Sequence, residues 1–496
     1  MQSLKQIKWK TKDYVETILL FAVNIFVLIG LCVLAMLLNS GDVSTFTKNI
    51  SSEQGIVNIS NIAIEMIILG AVVCIYFCFE YSDFLLKKKN VWMIFFIIDT
   101  VVIIYYVIGR YVSVYARPVA LVALLGLYLI DRRSSTFLNI VMALTMFVVD
   151  MFTFANIDNE VVYCSLVLNF IGGIIGSYLL DGVTSRLKIF LAGLIISLPI
   201  VLCVAGVEFT GFRDGYNYKH LLFALISGVA STSIMIVVLP IYESAFNIVT
   251  NFRLAEITDV NAKLIKTLRE NAPGTYNHAL TVSLLAEACA TAIGENVLKA
   301  RAAAYYHDIG KLKQPEYYAE NQSGYNPHDE LLPELSADII RSHAYIGSDI
   351  IEKNNLPEFL SDVAKQHHGT LPIKYFFAKA KKYTESEVDI RGFSYLGPKP
   401  TDKISAIIMI CDASEARVRT LSDRSFEKMD KAVIEIIEER IELDQFTDCD
   451  ITLRELDIIR MSIVNTLGGV YHSRIKYPKM RLKKESKAIS DDNKNN

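Results

Sequence analysis

The chain has few of the residues that would make it a disulfide-stabilised or zinc-knuckle protein. It has 8 cysteines among 496 residues, and none of them is spaced as CxxC. Five lie within long apolar runs, and the other three are scattered through the second half of the chain. We therefore expect neither a disulfide framework nor a zinc knuckle, and we expect the second half to face a reducing compartment.

The chain also lacks a strong net charge. Its 50 lysines and arginines nearly balance 53 aspartates and glutamates, which gives −3 at pH 7. No broad basic surface is indicated, so we do not expect a nucleic-acid polymer as a partner. What the chain has in excess is apolar residues, at 52% of the sequence. They are concentrated in residues 15–247, and the remainder has the composition of a soluble domain.

Eight apolar segments predict an α-helical membrane bundle. Most are close to the roughly 20 residues needed to cross the hydrocarbon layer, and the fourth, around Val119 to Ile130, is shorter. The segments are 15–38, 61–80, 91–109, 117–131, 136–155, 161–180, 188–207 and 220–244. The first is longer than the apolar core of a signal peptide and has no small-residue cleavage site after it, so we interpret it as a retained anchor. A short loop, 39–60, then separates this anchor from a seven-span bundle at 61–247.

The basic residues between the segments predict the orientation in the membrane. Clusters at 87–89, 132–133 and 186–188 fall in alternate loops, on the same side as the basic N-terminal residues 1–14. Four basic residues lie in the opposite loops, but they do not reverse the bias. The excess of lysine and arginine in the loops on the N-terminal side predicts a multi-pass protein of the plasma membrane, in contact with the lipid bilayer. It also predicts that the second half of the chain is cytoplasmic.

Four polar side chains lie within the predicted spans: Glu65, Asp99, Asp150 and Asn169. Such groups are expensive in hydrocarbon and are therefore candidates for functional sites. Hydrogen bonding between helices explains them more simply, and we favour that structural role.

The second half predicts a run of helices. Leucine and isoleucine recur at helical spacing in a connector at 248–271, and an all-α domain at 272–478 follows. The polar residues 479–496 are predicted to be a disordered tail. The fold class is thus all-α, with a polytopic membrane bundle of about eight spans followed by an all-α cytoplasmic domain.

Histidine and aspartate residues recur through this second half in an ordered series. Five imidazoles and two carboxylates form the predicted ligand set, namely His278, His307, Asp308, His343, His367, His368 and Asp412. Such ligands suit Fe, Mn or Zn. Adjacent residues on a helix point about 100° apart, so His307 and Asp308 are not easily used by one ion. We therefore predict two divalent metal ions, Mn or Fe, with a bridging carboxylate, an arrangement that activates hydroxide for phosphoryl transfer.

Several nearby residues are candidates for roles beside the metals. Lys311 directly follows Gly310, where the helix is predicted to end, and it is placed to reach a substrate phosphate. Glu415 lies one turn after Asp412 and is a candidate for orienting a ligand. We predict catalytic roles for Asp308 and Lys311. Substrate contacts are predicted for Lys311, Tyr276, His328 and Arg419.

The second half resembles the HD-domain phosphohydrolases and, more narrowly, the seven-transmembrane HD family of bacterial cyclic di-AMP phosphodiesterases. The resemblance covers nearly all of residues 250–478. It rests on the motifs APGTY at 272–276, AYYHDIGK at 304–311, ENQ at 320–322, NPHD at 326–329, LSA at 335–337, QHHGT at 366–370, GPKP at 397–400 and CDASEA at 411–416.

The resemblance implies an HD domain with a di-iron or di-manganese centre that hydrolyses cyclic di-AMP to linear 5′-pApA. It implies that Asp308 bridges the ions. One ion would be held by His278, His307, Asp308 and Asp412, and the other by Asp308, His343, His367 and His368. A homodimer is left open.

Two departures from the family pattern bear on these expectations. Family members usually have a large extracellular domain after the first span, where this chain has only about 22 residues, 39–60. Any signal sensed by that domain is therefore in doubt. Asn277 stands where the family often has a further histidine, but the neighbouring ligand His278 is kept. We expect altered fine tuning rather than lost activity.

Two other functions remain open at this point. A cyclic di-GMP phosphodiesterase of the HD-GYP class would carry Gly-Tyr-Pro after the histidine pair, where this chain has GTLP at 369–372. A receptor that binds a cyclic dinucleotide without hydrolysing it would be expected to have lost ligands, and none of the seven is lost. Release of pApA, against binding without turnover, separates these functions.

Overall fold

The computed structural model describes residues 11–153, 159–210, 218–383 and 387–471. Within these ranges the chain is helical, with one isolated antiparallel bridge between Pro372 and Ser394 and no longer strand pairing. The predicted all-α class is confirmed. The chain divides into two compact units, with the boundary between Asp259 and Val260. The N-terminal residues 1–10 and the predicted disordered tail at 479–496 lie outside the described residues.

The first unit contains eleven α-helices among its described residues. They are α1 Thr11–Ser40, α2 Val43–Ile50, α3 Glu53–Glu80, α4 Ser82–Leu85, α5 Lys88–Tyr111, α6 Leu121–Leu129, α7 Arg132–Thr153, α8 Asn159–Leu179, α9 Arg186–Thr210, α10 Tyr218–Phe246 and α11 Asn251–Ile257. Seven of them, α1, α3, α5, α7, α8, α9 and α10, are long and apolar enough to cross a membrane.

The predicted span at 117–131 is the exception, because its residues do not form one long helix. A short 3₁₀ turn at Val114–Ala116 is followed by α6, which has only nine residues. At 1.5 Å per residue, α6 is about 14 Å long, too short to cross alone. The apolar composition of residues 118–130 led to the prediction of a span here, because composition does not report where a helix begins.

The interrupted segment still runs from one end of the bundle to the other. The Tyr105 hydroxyl on α5 donates to the Pro118 carbonyl at 2.8 Å, so the chain folds back alongside α5. At the other end, Tyr81 after α3 donates to Asp131 at 2.6 Å. Irregular backbone at membrane depth is tolerated where protein buries it, as it does here. The described bundle therefore has seven continuous helices and one interrupted crossing.

A fully buried ion pair fixes this crossing to α7. The Arg117 guanidinium meets Asp150 with two contacts, Nη1 to Oδ2 at 2.6 Å and Nη2 to Oδ1 at 2.7 Å. Arg117 Nε also donates to the Tyr105 carbonyl at 3.0 Å. Elsewhere in the bundle, the Asn24 amide on α1 donates to both oxygens of Asp99 on α5. These contacts agree with a structural role for the intramembrane polar groups.

The second unit contains nine α-helices among its described residues. They are α12 Lys263–Asn271, α13 Pro273–Ile293, α14 Val297–Tyr306, α15 Pro333–Lys353, α16 Glu358–Gln366, α17 Lys374–Tyr383, α18 Lys403–Arg419, α19 Phe426–Glu442 and α20 Leu453–Val470. Buried aliphatic residues of α13, α18, α19 and α20 form the core, including Val282, Ile407, Val433 and Ile463.

Local sequence sets the ends of the helices that carry the candidate site. Pro273 begins α13, where its missing N–H is harmless, and Gly294 ends it in the left-handed conformation at φ +79°. Gly310, after α14, allows a close approach of two backbones. A Cβ there would lie 1.9 Å from the His343 carbonyl oxygen on α15. This glycine thus brings the end of α14 against α15, and with it the candidate ligands.

Candidate metal centre

The structure brings all seven predicted ligands together from five places in the fold. His278 lies on α13, His343 on α15 and Asp412 on α18, whereas the two adjacent pairs, His307-Asp308 and His367-His368, directly follow α14 and α16. The ligand atoms form two groups, in each of which all lie within 4.8 Å of one another. The groups are His278, His307, Asp308 and Asp412, and Asp308, His343, His367 and His368.

Asp308 belongs to both groups, and its two oxygens face different histidines. Oδ2 lies 3.3 Å from His307 Nε2 and 3.7 Å from His278 Nε2. Oδ1 lies 3.3 Å from His343 Nε2 and 3.7 Å from His367 Nε2. A carboxylate in this position is suited to bridge two ions. Asp308 can take this position because α14 ends at Tyr306, two residues before it.

The far nitrogen of each buried imidazole is fixed by a hydrogen bond. Nδ1 of His307 donates to the Ala304 carbonyl at 2.7 Å, and Nδ1 of His343 donates to the Ile340 carbonyl at 2.5 Å. His367 makes the corresponding bond to Ala364. Donation from Nδ1 leaves Nε2 as a lone-pair acceptor facing the centre, the tautomer that a metal ligand requires.

Glu415 plays the same part for the remaining buried histidine. Its Oε2 lies 2.5 Å from His278 Nδ1, while His278 Nε2 lies 2.9 Å from Asp412 Oδ1. Glu415 is itself buried. The structure therefore places it where the sequence predicted a ligand-orienting residue.

The centre leaves buried polar atoms without hydrogen-bond partners. Among the described residues, His307 Nε2 and both carboxylate oxygens of Asp308 make no hydrogen bond. The neighbouring ion pair, Lys311 Nζ to Asp308 Oδ2 at 2.7 Å, neutralises only one side of this carboxylate. Buried polar atoms are rarely left unpaired. A donor set of imidazole nitrogens and carboxylates therefore fits divalent cations.

The pKa shifts of His343, His368 and Asp308 favour the protonation states that bind metal, whereas the shift of His278 does not. Burial acts to lower the pKa of His278, but its hydrogen bonds to Asp412 and Glu415 outweigh burial and raise that pKa to about 10. Burial lowers the pKa of His343 to about 3, and burial likewise lowers the pKa of His368, so both stay neutral. Burial acts to raise the pKa of Asp308, but Lys311 and His307 outweigh it and hold that pKa well below its usual value. Neutral imidazoles and an ionised carboxylate are the forms that bind metal.

Lys311 lies at the centre, as its predicted role requires. Besides Asp308, it contacts Glu320 Oε1 at 2.8 Å, and its ammonium lies 5.0 Å from the centre of the Tyr318 ring. Glu320 also accepts a hydrogen bond from the Thr275 hydroxyl at 3.2 Å. The ENQ motif thus contains a residue that positions the lysine, a role that sequence analysis had not assigned to it.

The other predicted substrate contacts are not brought to the two groups. His328 packs between Tyr317 and Phe376, with Nε2 at 3.0 Å from the Tyr317 carbonyl. Tyr276 lies two residues before His278 on α13, about 200° around the helix. Arg419 is exposed at the end of α18, with Nη1 3.9 Å from Glu415. Their contacts with substrate remain predictions.

Sequence analysis missed one aromatic residue at this centre. The Tyr395 ring stacks on the His368 imidazole, with ring centres 4.2 Å apart and 28° between the planes. Its segment carries no histidine or acidic spacing that marks a site. The only nearby signal was the GPKP motif two residues later.

Comparisons with known proteins agree with both halves. Residues 56–250 match the family model described as a 7TM receptor with intracellular HD hydrolase, and residues 275–417 match the HD domain model. The two halves are therefore similar to the membrane region of that family and to the HD domain, respectively. The resemblance stated from the sequence is confirmed.

Individual relatives share a name. The chain is 34% identical over 448 residues to the cyclic-di-AMP phosphodiesterase PgpH of Bacillus subtilis, covering 86% of this chain and 62% of that protein. It is 42% identical over 290 residues to PgpH of Listeria monocytogenes, covering 58% of this chain and 40% of that protein. The chain thus spans less than two thirds of the length of either relative.

A solved structure also aligns with the second unit. It is the HD domain of the L. monocytogenes phosphodiesterase PgpH in complex with cyclic-di-AMP, at 47% identity, covering 43% of this chain and 99% of that chain, with a TM-score of 0.41.

Proposed function

We propose that this chain is a membrane-anchored, metal-dependent phosphodiesterase that hydrolyses cyclic di-AMP to 5′-pApA. The observation that carries the proposal is the sharing of Asp308 between two four-residue ligand groups. Structural metal sites are usually closed and four-coordinate around a single ion, whereas a shared carboxylate is typical of paired catalytic ions. The names of the relatives support the choice of substrate.

The metal ions, Mn or Fe, would supply a hydroxide nucleophile and stabilise negative charge on the phosphodiester. The residues of the chain provide the rest. Asp308 holds the two ligand groups together, and Glu415 fixes the ring of His278. Burial acts to lower the pKa of Lys311, but Asp308 and Glu320 outweigh it and raise that pKa. Lys311 therefore stays charged and offers an ammonium to a substrate phosphate.

The basic residues of the first unit support a cytoplasmic location of the HD domain. Lys88, Arg132 and Arg186 lie at or near the starts of α5, α7 and α9. Arg186 pairs with Glu256 on α11 at 2.6 Å, so the chain leaves the bundle at the end that carries Arg186. The positive-inside rule assigns that end to the cytoplasm, where cyclic dinucleotide messengers are accessible to the domain that follows.

The test is turnover of cyclic di-AMP and cyclic di-GMP by the purified full chain in lipid nanodiscs with Mn²⁺, with products separated by chromatography. We expect pApA from cyclic di-AMP, and a loss of more than about 10³-fold in Asp308→Ala because the shared ligand is removed. Asp338→Ala, which removes an exposed carboxylate on α15, is the matched control and should retain activity.

Each outcome discriminates between functions. Turnover of cyclic di-GMP and not of cyclic di-AMP would favour a cyclic di-GMP phosphodiesterase. Tight binding of cyclic di-AMP with no product under Mn²⁺ or Fe²⁺ would contradict hydrolysis and favour a receptor.

A further inference from the structure

Tyr395 is held beside the metal centre by its backbone. Its N–H donates to the Leu371 carbonyl at 3.0 Å, and the Phe393 carbonyl accepts from Ile373 N at 2.7 Å. The two hydrogen bonds join its segment to the chain that begins three residues after His368. Any movement of this tyrosine is therefore tied to the segment that carries the two adjacent histidine ligands.

A second anchor comes from the helix that carries another ligand. The hydroxyl of Tyr345 on α15 donates to the Gly397 carbonyl at 2.9 Å, two residues beyond Tyr395. His343 lies two residues before Tyr345 on the same helix. The loop is thus fixed at both ends to elements that position ligands, which is the support that a preorganised contact requires.

The ring and the hydroxyl of Tyr395 have different surroundings. The ring stacks on His368 and meets the edge of His343, with ring centres 6.1 Å apart. The hydroxyl makes no hydrogen bond with any described residue, although the tyrosine is mostly enclosed. A donor without a protein partner beside a substrate site is available to a ligand.

A tyrosine hydroxyl can donate one hydrogen bond, so the phenol of Tyr395 is able to donate to a phosphate oxygen.

We infer that Tyr395 contacts the substrate: its hydroxyl donates a hydrogen bond to a non-bridging oxygen of the phosphodiester group that is cleaved, while its ring supports His368. This inference rests on the proposed function, since it assigns a contact to the same site. The hydroxyl and the ring are separable, because phenylalanine keeps the stacking and loses only the donor.

The experiment compares Tyr395→Phe with the wild-type full chain in nanodiscs. We expect kcat/KM for cyclic di-AMP to fall about 10²-fold, as when one preorganised donor to a developing charge is lost. Bound Mn²⁺ per chain should be unchanged. Equilibrium binding of a slowly cleaved phosphorothioate analogue should be weakened as well. Tyr375→Phe, at an exposed site on α17, is the matched control and should match the wild type.

The possible outcomes separate the contact from a structural role. Wild-type kcat/KM and analogue binding in Tyr395→Phe would overturn the inference. Reduced Mn²⁺ content in Tyr395→Phe would also overturn it, because the hydroxyl would then act through the ligands. If the wild type turns over no cyclic dinucleotide, the proposed function fails, and analogue binding to the two proteins still decides whether the contact exists.

Discussion

The two units each bury a charged cluster, and the clusters differ in how their atoms are satisfied. In the membrane bundle, Arg117 and Asp150 use their opposing atoms on each other, and Arg117 Nε has the Tyr105 carbonyl. In the HD domain, both oxygens of Asp308 and Nε2 of His307 lack hydrogen-bond partners among the described residues. Both clusters are polar groups in apolar surroundings, but only the cluster around Asp308 has atoms that need a bound ligand as a partner.

Two histidines make the contrast sharper. Nε2 of His343 and Nε2 of His367 lie 3.1 Å apart. Each ring already donates from Nδ1, to the carbonyls of Ile340 and Ala364. Two neutral rings in these tautomers turn lone pairs toward each other, which is unfavourable without a cation nearby. Buried polar atoms without hydrogen-bond partners therefore distinguish a binding centre from structural polar groups, whereas burial alone does not.

The largest expected effect on stability comes from breaking the buried Arg117–Asp150 ion pair. Asp150→Asn leaves the Arg117 charge buried without its counterion, which costs about 3 to 5 kcal/mol when a buried pair loses one partner. We expect a matching loss in the free energy of unfolding of the membrane unit. Denaturation of the full chain in mixed micelles, monitored by the fluorescence of Trp92 on α5, measures it.

The rescue variant tests whether the pair acts only as structure. Replacement of both partners, Arg117→Met with Asp150→Leu, removes both charges and should restore most of the lost stability. Cyclic di-AMP turnover should be retained in this double variant. Restored stability with abolished turnover would show that the pair has a function beyond packing.

Metal should stabilise the cluster around Asp308, whereas it should not affect the Arg117–Asp150 pair. A ligand at 100 times its Kd stabilises the folded state by about 2.7 kcal/mol. We expect Mn²⁺ at that excess to slow amide hydrogen exchange in α15 and α16, and to leave exchange in α7 unchanged. His367→Gln should lose this response because one ligand group loses an imidazole.

The metal-free state provides the control for this prediction. Without Mn²⁺, exchange in α15 should be similar in His367→Gln and the wild type, because the hydrogen bonds of His367 Nδ1 go to carbonyls of α16 and do not cross to α15. Equal Mn²⁺ protection in both proteins would contradict a role for His367 as a ligand.

A smaller effect on metal affinity is expected from substitution of Glu415, which is hydrogen-bonded to Nδ1 of His278. Glu415→Gln keeps the size of the side chain but weakens its bond to the imidazole. Loss of such a partner typically lowers metal affinity 10- to 100-fold, or about 1.4 to 2.8 kcal/mol. Titration of the metal-free chain with Mn²⁺, followed by electron paramagnetic resonance, measures it. Glu438→Gln, on the exposed side of α19, should leave the affinity unchanged.

Sequence analysis could place four of the seven predicted metal ligands at helix ends. His307 and Asp308 stand before Gly310, and the pair His367-His368 stands before a second glycine. Membrane helices could be predicted from apolar length alone. The grouping of ligands came from a family resemblance, and the structure brings the same residues together.

The rest could not be predicted because it depends on partners far away in the chain. Arg117 looked like a loop residue that went against the charge bias, since nothing near it in sequence shows Asp150 opposite. The break before α6 includes Arg117 and Pro118, but the apolar residues after them led to the prediction of a span. Tyr395 has no periodic signal, and its position depends on the bridge that joins its segment to the one after His368 and on the hydrogen bond from Tyr345 to Gly397.

The smallest expected effect concerns a polar cluster at the surface, which serves as the reference for both buried ones. At the start of α20, the Thr452 hydroxyl accepts from Glu455 N, and Glu455 Oε2 accepts from Thr452 N at 2.8 Å. Thr452→Ala removes both hydrogen bonds of the hydroxyl, the one from Glu455 N and the one to Glu455 Oε2, and should lower the free energy of unfolding of the HD domain by about 1 kcal/mol. Mn²⁺ affinity should not change, because the cap touches no ligand. If Thr452→Ala weakened Mn²⁺ binding as much as Glu415→Gln does, metal affinity would be following general stability, and the effect of Glu415 would no longer support its role as an orienting residue.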